Sequence, residues 1–277
     1  MPKQDLKGGL SSGRPPLAQH LKRSLPSKAT RAIIRTHHQL NKELAQAIKS
    51  GDKGKAEALH REIEKRGGLK TYQVASITGQ SLARGGDSSK VLMQWLQKYE
   101  LRRKNDRLRM LEVGALSTSN ACSRSGLFDM TWIDLNSQDP KIQQQDFMKR
   151  PLPVSEAESF DIISLSLVIN YVPEPEARGD MLRRTCNFLR FSLERILPLL
   201  FFVLPAPCIT NSRYLSERRL EDIMDSLGFK KLEQKISAKL YYSLWVLSPR
   251  VETKARSFPK VEVNPGRTRN NFSIVLH

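Results

Sequence analysis

Arg109-Met110-Leu111-Glu112-Val113-Gly114-Ala115-Leu116-Ser117 is the stretch that decides the architecture. An apolar run reaches an acidic residue and a glycine, then a turn of small residues that leads into a helix. Glycine at such a turn lets a ligand approach the backbone, and the N–H groups that follow can meet an anion. A purely structural turn at a strand end has the same appearance. The glycine spacing of a dinucleotide site is absent, as is the Gly-Lys-Ser or Gly-Lys-Thr of a P-loop.

Three segments downstream extend the pattern. Trp132-Ile133-Asp134-Leu135-Asn136 is an apolar strand ending in an acid 20 residues after Gly114. A carboxylate at the tip of a second strand can accept both ribose hydroxyls of a nucleoside; a helix N-cap or a surface acid is the alternative. Gln145-Asp146-Phe147-Met148 stands where a third strand would end. There Asp146 can accept the exocyclic amine of an adenine while Phe147 packs on the ring, unless the segment is an ordinary surface loop. Phe160 to Pro173 reads as a central strand whose carboxyl end opens onto the pocket, where open α/β sheets place reactive groups. Together the four segments suit S-adenosylmethionine, with its methionine carboxylate as the anion at the Gly114 turn. Glu112, Gly114, Asp134, Asp146 and Phe147 are the candidate cofactor residues.

Short apolar runs alternate with helical stretches from about residue 105 on, the signature of a parallel α/β sheet. Strands are expected at Arg109–Val113, Thr131–Asp134, Phe160–Ser166 and Leu199–Leu204. Tyr241–Leu247 and Phe272–Leu276 are expected to close the sheet as a later pair, with a polar loop at Val251–Asn270 between them. Ser216 starts a helix with Leu220, Ile223, Met224 and Leu227 on its buried stripe, and Gly228 ends it. The fold class is therefore α/β and Rossmann-like, with helices on both faces.

Upstream the period is helical. Residues 1–27 are rich in Gly, Pro, Ser and basic residues and read as a disordered arm. From Lys28, the residues Ile33, Leu40, Leu44, Ala47 and Ile48 share a face. A second helix buries Ala56, Leu59 and Ile63 and stops at Gly67-Gly68. Tyr72–Ser81 suits a shorter helix and Ala83–Gly86 a loop. Asp87 caps a helix with Val91, Leu92, Trp95, Leu96 and Tyr99 inward. The expected division is an arm at 1–27, a basic helical domain at 28–104 and a cofactor-binding domain at 105–277.

The 277 residues carry 46 Lys and Arg against 28 Asp and Glu, a net charge of +18. Residues 1–109 hold 24 basic and 9 acidic side chains, so nearly all of the excess lies in the N-terminal part. Such asymmetry points to a polyanionic partner, most often nucleic acid. The longest apolar run, Ile196–Pro205, is far short of the roughly 20 residues of a membrane span. No signal peptide is visible, so a soluble, intracellular protein with no membrane association is expected. Cysteines 122, 186 and 208 have neither metal-ligand spacing nor a disulfide pattern, and no metal is expected.

Across roughly residues 28–277 the chain resembles the fungal 25S rRNA adenine-N(1)-methyltransferases. The resemblance rests on residues 67–76 (GGLKTYQVAS), 111–116 (LEVGAL), 132–135 (WIDL), 145–147 (QDF), 166–173 (SLVINYVP), 178–182 (RGDML) and 270–276 (NNFSIVL). It implies a class I, S-adenosylmethionine-dependent enzyme that modifies large-subunit rRNA or a pre-ribosome in the nucleolus, with Gly114 and Asp134 as the cofactor-binding pair. Animal relatives of that family act as S-adenosylmethionine sensors, so a non-catalytic sensor or scaffold is the alternative. A small-molecule methyltransferase of the same fold is a third reading.

Adenine N1 carries its own lone pair, so methyl transfer needs alignment and exclusion of water more than a general base. Asn170 and Tyr171 are the expected catalytic-site pair, an amide for the base edge and a ring for stacking. A helix cap and a core tyrosine are what the same two residues would otherwise be.

Overall fold

The computed structural model describes residues 27–68, 71, 87–99, 107–137, 139–191, 198–248 and 256–277. The expected helix at Tyr72–Ser81, the loop at Ala83–Gly86 and most of the N-terminal arm lie outside the described residues.

Helices α1 (Ser27–Lys49) and α2 (Lys53–Lys65) form an antiparallel hairpin. Asp52 caps α2, its Oδ1 accepting the Lys55 N–H at 3.0 Å. Gly67 and Gly68 end it at φ +89° and +55°, backbone that favours glycine. Ala47 and Ile63 are buried as expected, but Ile48 is 65% exposed. It lies one position beyond Ala47, already past the edge of the apolar stripe.

Helix α3 (Ser89–Leu96) belongs to the sheet. Leu92, Trp95 and Leu96 bury against Leu108, Met110, Phe128 and Phe201, with the Trp95 ring edge-on to Phe201 at 6.1 Å. The helical layer over the sheet therefore begins with α3, ahead of the boundary expected near residue 105.

Among the described residues the sheet has seven strands: β1 (Leu108–Val113), β2 (Phe128–Asp134), β3 (Gln143–Gln144), β4 (Ile162–Ser166), β5 (Leu199–Pro205), β6 (Phe229–Ile236) and β7 (Leu240–Leu247). Their order is β3-β2-β1-β4-β5-β7-β6, parallel except for β7, which runs antiparallel to both β5 and β6. This is the Rossmann-like class I arrangement expected from the sequence. The apolar run of β5 splits by period two: Leu200, Phe202 and Leu204 enter one core, and Leu199, Phe201 and Val203 the other. Helices α5 (Pro175–Phe188) and α7 (Glu217–Ser226) cover the first face; α3 and the short α4 (Ala121–Arg124) cover the second. One-turn α6 (Pro207–Thr210) follows β5.

The closing pair of strands differs from expectation. β7 is hairpinned to β6, and Phe272–Leu276 is not a strand of the sheet. The reason lies in β6 itself, Phe-Lys-Lys-Leu-Glu-Gln-Lys-Ile, an edge strand whose charged side chains suit solvent and conceal it from an apolar-run reading. The C-terminal segment instead packs on α5. A β-carbon on Gly179 would lie 1.8 Å from the Val275 carbonyl oxygen, so only glycine admits that contact.

Candidate cofactor pocket and base site

Backbone bonds at the carboxyl edge of the sheet tie together the four segments singled out above. The Ile133 carbonyl accepts both the Gly114 N–H (2.8 Å) and the Ala115 N–H (3.1 Å), which sets the first turn against the tip of β2. The Asp134 carbonyl accepts the Gln145 N–H at 2.9 Å, which brings in the third segment. The fourth arrives through Val168: a β-carbon on Gly114 would sit 2.8 Å from its Cγ2. Gly114 has φ +72°. It is thus glycine both by backbone and by space.

Glu112 lies two residues before the turn, on β1. Both of its carboxylate oxygens accept from the Asn120 amide, at 2.9 and 2.8 Å. Asn120 in turn caps α4, its Oδ1 accepting the Ser123 N–H at 2.9 Å. Glu112 therefore fixes the far end of the Gly114–Asn120 loop. Burial pushes its carboxyl up to about 7; the Asn120 amide opposes the shift and the nearby Asp87 charge adds to it. A raised acid holds its proton in the folded chain where the unfolded chain has released it. The stability it contributes is full below about pH 4.5 and is lost as the pH rises through about 7. Relative to the natural chain, the stability of Glu112→Gln is therefore expected to rise from pH 5 to 8, by at most about 3 kcal/mol, less the cost of turning an amide N–H toward the Asn120 donor. Denaturant unfolding of both proteins across that range measures the difference.

Asp134 ends β2, and its Oδ1 accepts the Asn136 N–H at 2.8 Å, which holds the carboxylate at the strand tip. Asp146 Oδ1 accepts the Met148 N–H at 2.8 Å and so caps a one-turn 3-10 helix over Phe147–Lys149. Phe147 is turned away from the expected role. It is 2% exposed, packs on Phe188 with ring centroids 5.3 Å apart, and lies under the Arg184 guanidinium. The tight turn behind Asp146 points the ring into the core, so no face is offered to an adenine.

After β4 the chain makes a strained turn. Leu167 takes φ +58°, held there by its N–H bond to the Val203 carbonyl at 3.0 Å. Strain of this kind clusters at functional sites. Ile169 then anchors a one-turn 3-10 helix in the core, leaving Asn170 and Tyr171 half-buried. The Asn170 side-chain oxygen is buried with no hydrogen-bond partner among the described residues. An unsatisfied buried acceptor costs about 1–3 kcal/mol, and the Tyr241 and Ser273 hydroxyls share that state.

Two contributions escaped the sequence reading, one from the start of α3 and one from Arg178. Ser88, at the start of α3, bonds through its hydroxyl to Ser166 at 2.9 Å, and Asp87 Oδ2 accepts the Ala121 N–H at 2.6 Å. Asp87 is the cap expected from the sequence, but the cap position is Ser88. Asp87, one residue earlier, accepts the Ser89 N–H through Oδ1 at 3.0 Å, while its second bond at the N-terminus of α4 left no local signal. Arg178 is the other. It donates to the carbonyls of Val172 (2.8 Å), Pro173 (3.0 Å) and Ser273 (2.7 Å), clamping the chain after Tyr171 to the C-terminal segment. Burial lowers its guanidinium to about 10, so it remains charged at neutral pH. Its motif neighbours marked the position, but a partner 95 residues away left no local signal.

The site fits S-adenosylmethionine in two respects: a loop with no room for a β-carbon and a fixed acid at the tip of β2. No group of three or more His, Cys, Asp or Glu side chains that could hold a metal is present among the described residues. Nor is any described helix long and apolar enough to cross a membrane.

Comparison with known proteins agrees. The family model described as "25S rRNA (adenine(2142)-N(1))-methyltransferase, Bmt2" matches residues 57–274. A Schizosaccharomyces pombe protein named 25S rRNA adenine-N(1) methyltransferase is 41% identical over 248 residues, 87% of this chain and 89% of its own length. A Saccharomyces cerevisiae protein named 25S rRNA (adenine(2142)-N(1))-methyltransferase is 42% identical over 218 residues, 78% of this chain but 62% of its own length. Among solved structures, the 16S rRNA methylase RmtB superposes with a TM-score of 0.45 at 12% identity, over 76% of this chain and 90% of that one. The match over residues 57–274 contains every segment of the pocket, and the chain belongs to the 25S rRNA (adenine(2142)-N(1))-methyltransferase family, Bmt2.

Proposed function

We propose that the chain transfers a methyl group from S-adenosylmethionine to N1 of an adenine in 25S rRNA, and that it does so in the nucleolus, on the rRNA or a pre-ribosome. The observation that carries the reading is the Gly114 turn, bonded to the tip of β2 and closed against Val168 with no room for a β-carbon.

When bound, S-adenosylmethionine supplies an electrophilic methyl on a positively charged sulfur. The chain's own residues do the rest. The Gly114 turn, with Glu112 bracing it, receives the amino-acid end. Asp134 would accept the ribose hydroxyls, and Asp146 would accept from the adenine amine of the cofactor. At the base site, Asn170 Oδ1 accepts from the 6-amino group of the target adenine, which fixes N1 in line for attack. As N1 takes the methyl, positive charge spreads to that amino group and its bond to Asn170 strengthens. The amide thus favours the transition state over the ground state. Tyr171 stacks on the extruded base. No general base is required, because N1 attacks with its own lone pair and any proton leaves later, outside the site. The basic α1–α2 hairpin gives sequence-independent phosphate contacts.

Incubation of the full chain with labelled cofactor and unmodified 25S rRNA tests this. The expected product is adenine methylated at N1, read by reverse-transcriptase stops, with RNA affinity that falls steeply with salt. Tight cofactor binding without transfer would point to a sensor and end the proposal.

A further inference from the structure

The N-terminal basic region is not the only cationic surface. Residues 207–219 and 256–271 together carry seven Lys and Arg against two acids. Arg218 pairs with Asp222 at 3.2 Å, outside the patch, and Arg219 binds the Pro259 carbonyl within it. Among the described residues, Arg213, Arg256, Lys260, Arg267 and Arg269 have no carboxylate within ion-pair distance.

Arg213, Lys260 and Arg269 sit on a fixed scaffold. The Arg213 N–H donates to the Asn270 carbonyl (2.9 Å), and the Arg213 carbonyl accepts the Val263 and Asn264 N–H groups (2.9 and 3.0 Å). Its guanidinium donates to Asn271 Oδ1 and the Gly266 carbonyl, both at 3.0 Å. Lys260 Nζ stands 4.5 Å from the centre of the Tyr214 ring, with the Arg213 guanidinium 5.9 Å from the same ring. Arg269 Nε donates to the Pro265 carbonyl at 3.2 Å. Charges held this way lose little freedom on meeting an anion.

The patch also lies beside the base site. Residues 207–216 leave the carboxyl end of β5, the strand next to β4. Asn270 Nδ2 binds the Pro207 carbonyl at 2.7 Å, and three residues on, Ser273 is tied through Arg178 to Val172 and Pro173. One segment thus carries the cations at one end and braces the base-site turn at the other.

We infer that the loop 256–271, strapped onto residues 211–219, is a second RNA surface, which holds the phosphodiester backbone flanking the target adenosine and sets its approach to Asn170. The inference rests on the reading of the substrate as rRNA. RNA targets of this kind offer single-stranded, splayed bases whose flanking phosphates need holding. A protein partner with an acidic surface is the competing occupant.

The test uses the full chain with a Lys260→Ala/Arg267→Ala/Arg269→Ala variant, an Arg267→Lys/Arg269→Lys control, and an unmodified 25S rRNA fragment. The triple variant is expected to bind the fragment about 100-fold more weakly at about 0.1 M salt, with the slope of log affinity against log salt reduced by about 2. Its cofactor affinity should be unchanged, and the lysine control should match the natural chain. Unaltered RNA affinity and salt slope in the triple variant, while the natural chain binds and methylates the fragment, overturns this surface alone. A defect seen only on pre-ribosomes, with naked-RNA binding intact, assigns the patch to a protein and overturns it too. If the natural chain neither binds nor methylates RNA, the proposed substrate falls and the surface with it.

Discussion

Gly114→Arg is expected to abolish S-adenosylmethionine binding, with affinity lowered by at least about 100-fold in calorimetric titration. Two independent costs combine. The residue sits at φ +72°, where a side chain costs roughly 1–2 kcal/mol. Its β-carbon would also meet Val168 Cγ2 at 2.8 Å, so the turn after β4 must move. A long cation then occupies the loop that the amino-acid end of the cofactor approaches. The fold is expected to survive with a lowered thermal midpoint, because Leu111 and Val113 still bury β1 in the core. Gly114→Ala separates the costs: it keeps the strain and the collision but fills less of the pocket, so it should bind more weakly than the natural chain and better than the arginine variant. Natural affinity in Gly114→Arg would place the cofactor elsewhere.

Asn170→Ala carries the second large effect, and its two readouts move in opposite directions. Turnover should fall by about 100-fold, the scale of losing one transition-state hydrogen bond in a desolvated site. Cofactor affinity should hold, since Asn170 serves the base. Stability of the free protein should rise by about 1 kcal/mol, because a buried acceptor without a partner is removed. A purely structural asparagine predicts the reverse, a loss of stability with turnover following it. Asn170→Asp, which keeps an acceptor, should recover part of the rate. Urea unfolding and single-turnover methylation of an RNA fragment, run on all three proteins, separate the cases.

How much of this was legible follows from the range of each signal. Strands β1, β2, β4, β5 and β7 announce themselves as short apolar runs, and the cap and stop of α7 are written in Ser216 and Gly228. Ser216 Oγ does accept the Arg219 N–H at 3.2 Å, and Gly228 has φ +91°. The edge strand β6 is the opposite case. Lys230 and Lys235 are solvated and Lys231 pairs with Glu217 and Glu221 of α7, so three lysines occupy a strand that a hydrophobic reading passes over. The C-terminal Phe272–Leu276, apolar enough to be a strand, is buried by α5 instead.

The sequence by itself determined the alternation of strand and helix, the order in which Gly114, Asp134, Asp146 and Asn170 arrive at one sheet edge, and the imbalance of charge. Each depends on backbone preference over a few residues or on composition, both of which are local. Only the tertiary structure decided that Phe147 faces the core, that Asn170 keeps an unmet acceptor, and that Arg178 joins Pro173 to Ser273. The cations of the C-terminal loop likewise gather about Arg213 and Tyr214 only in three dimensions. Those outcomes depend on which surfaces pack together across tens of residues of chain, and periodicity carries no record of partners so distant.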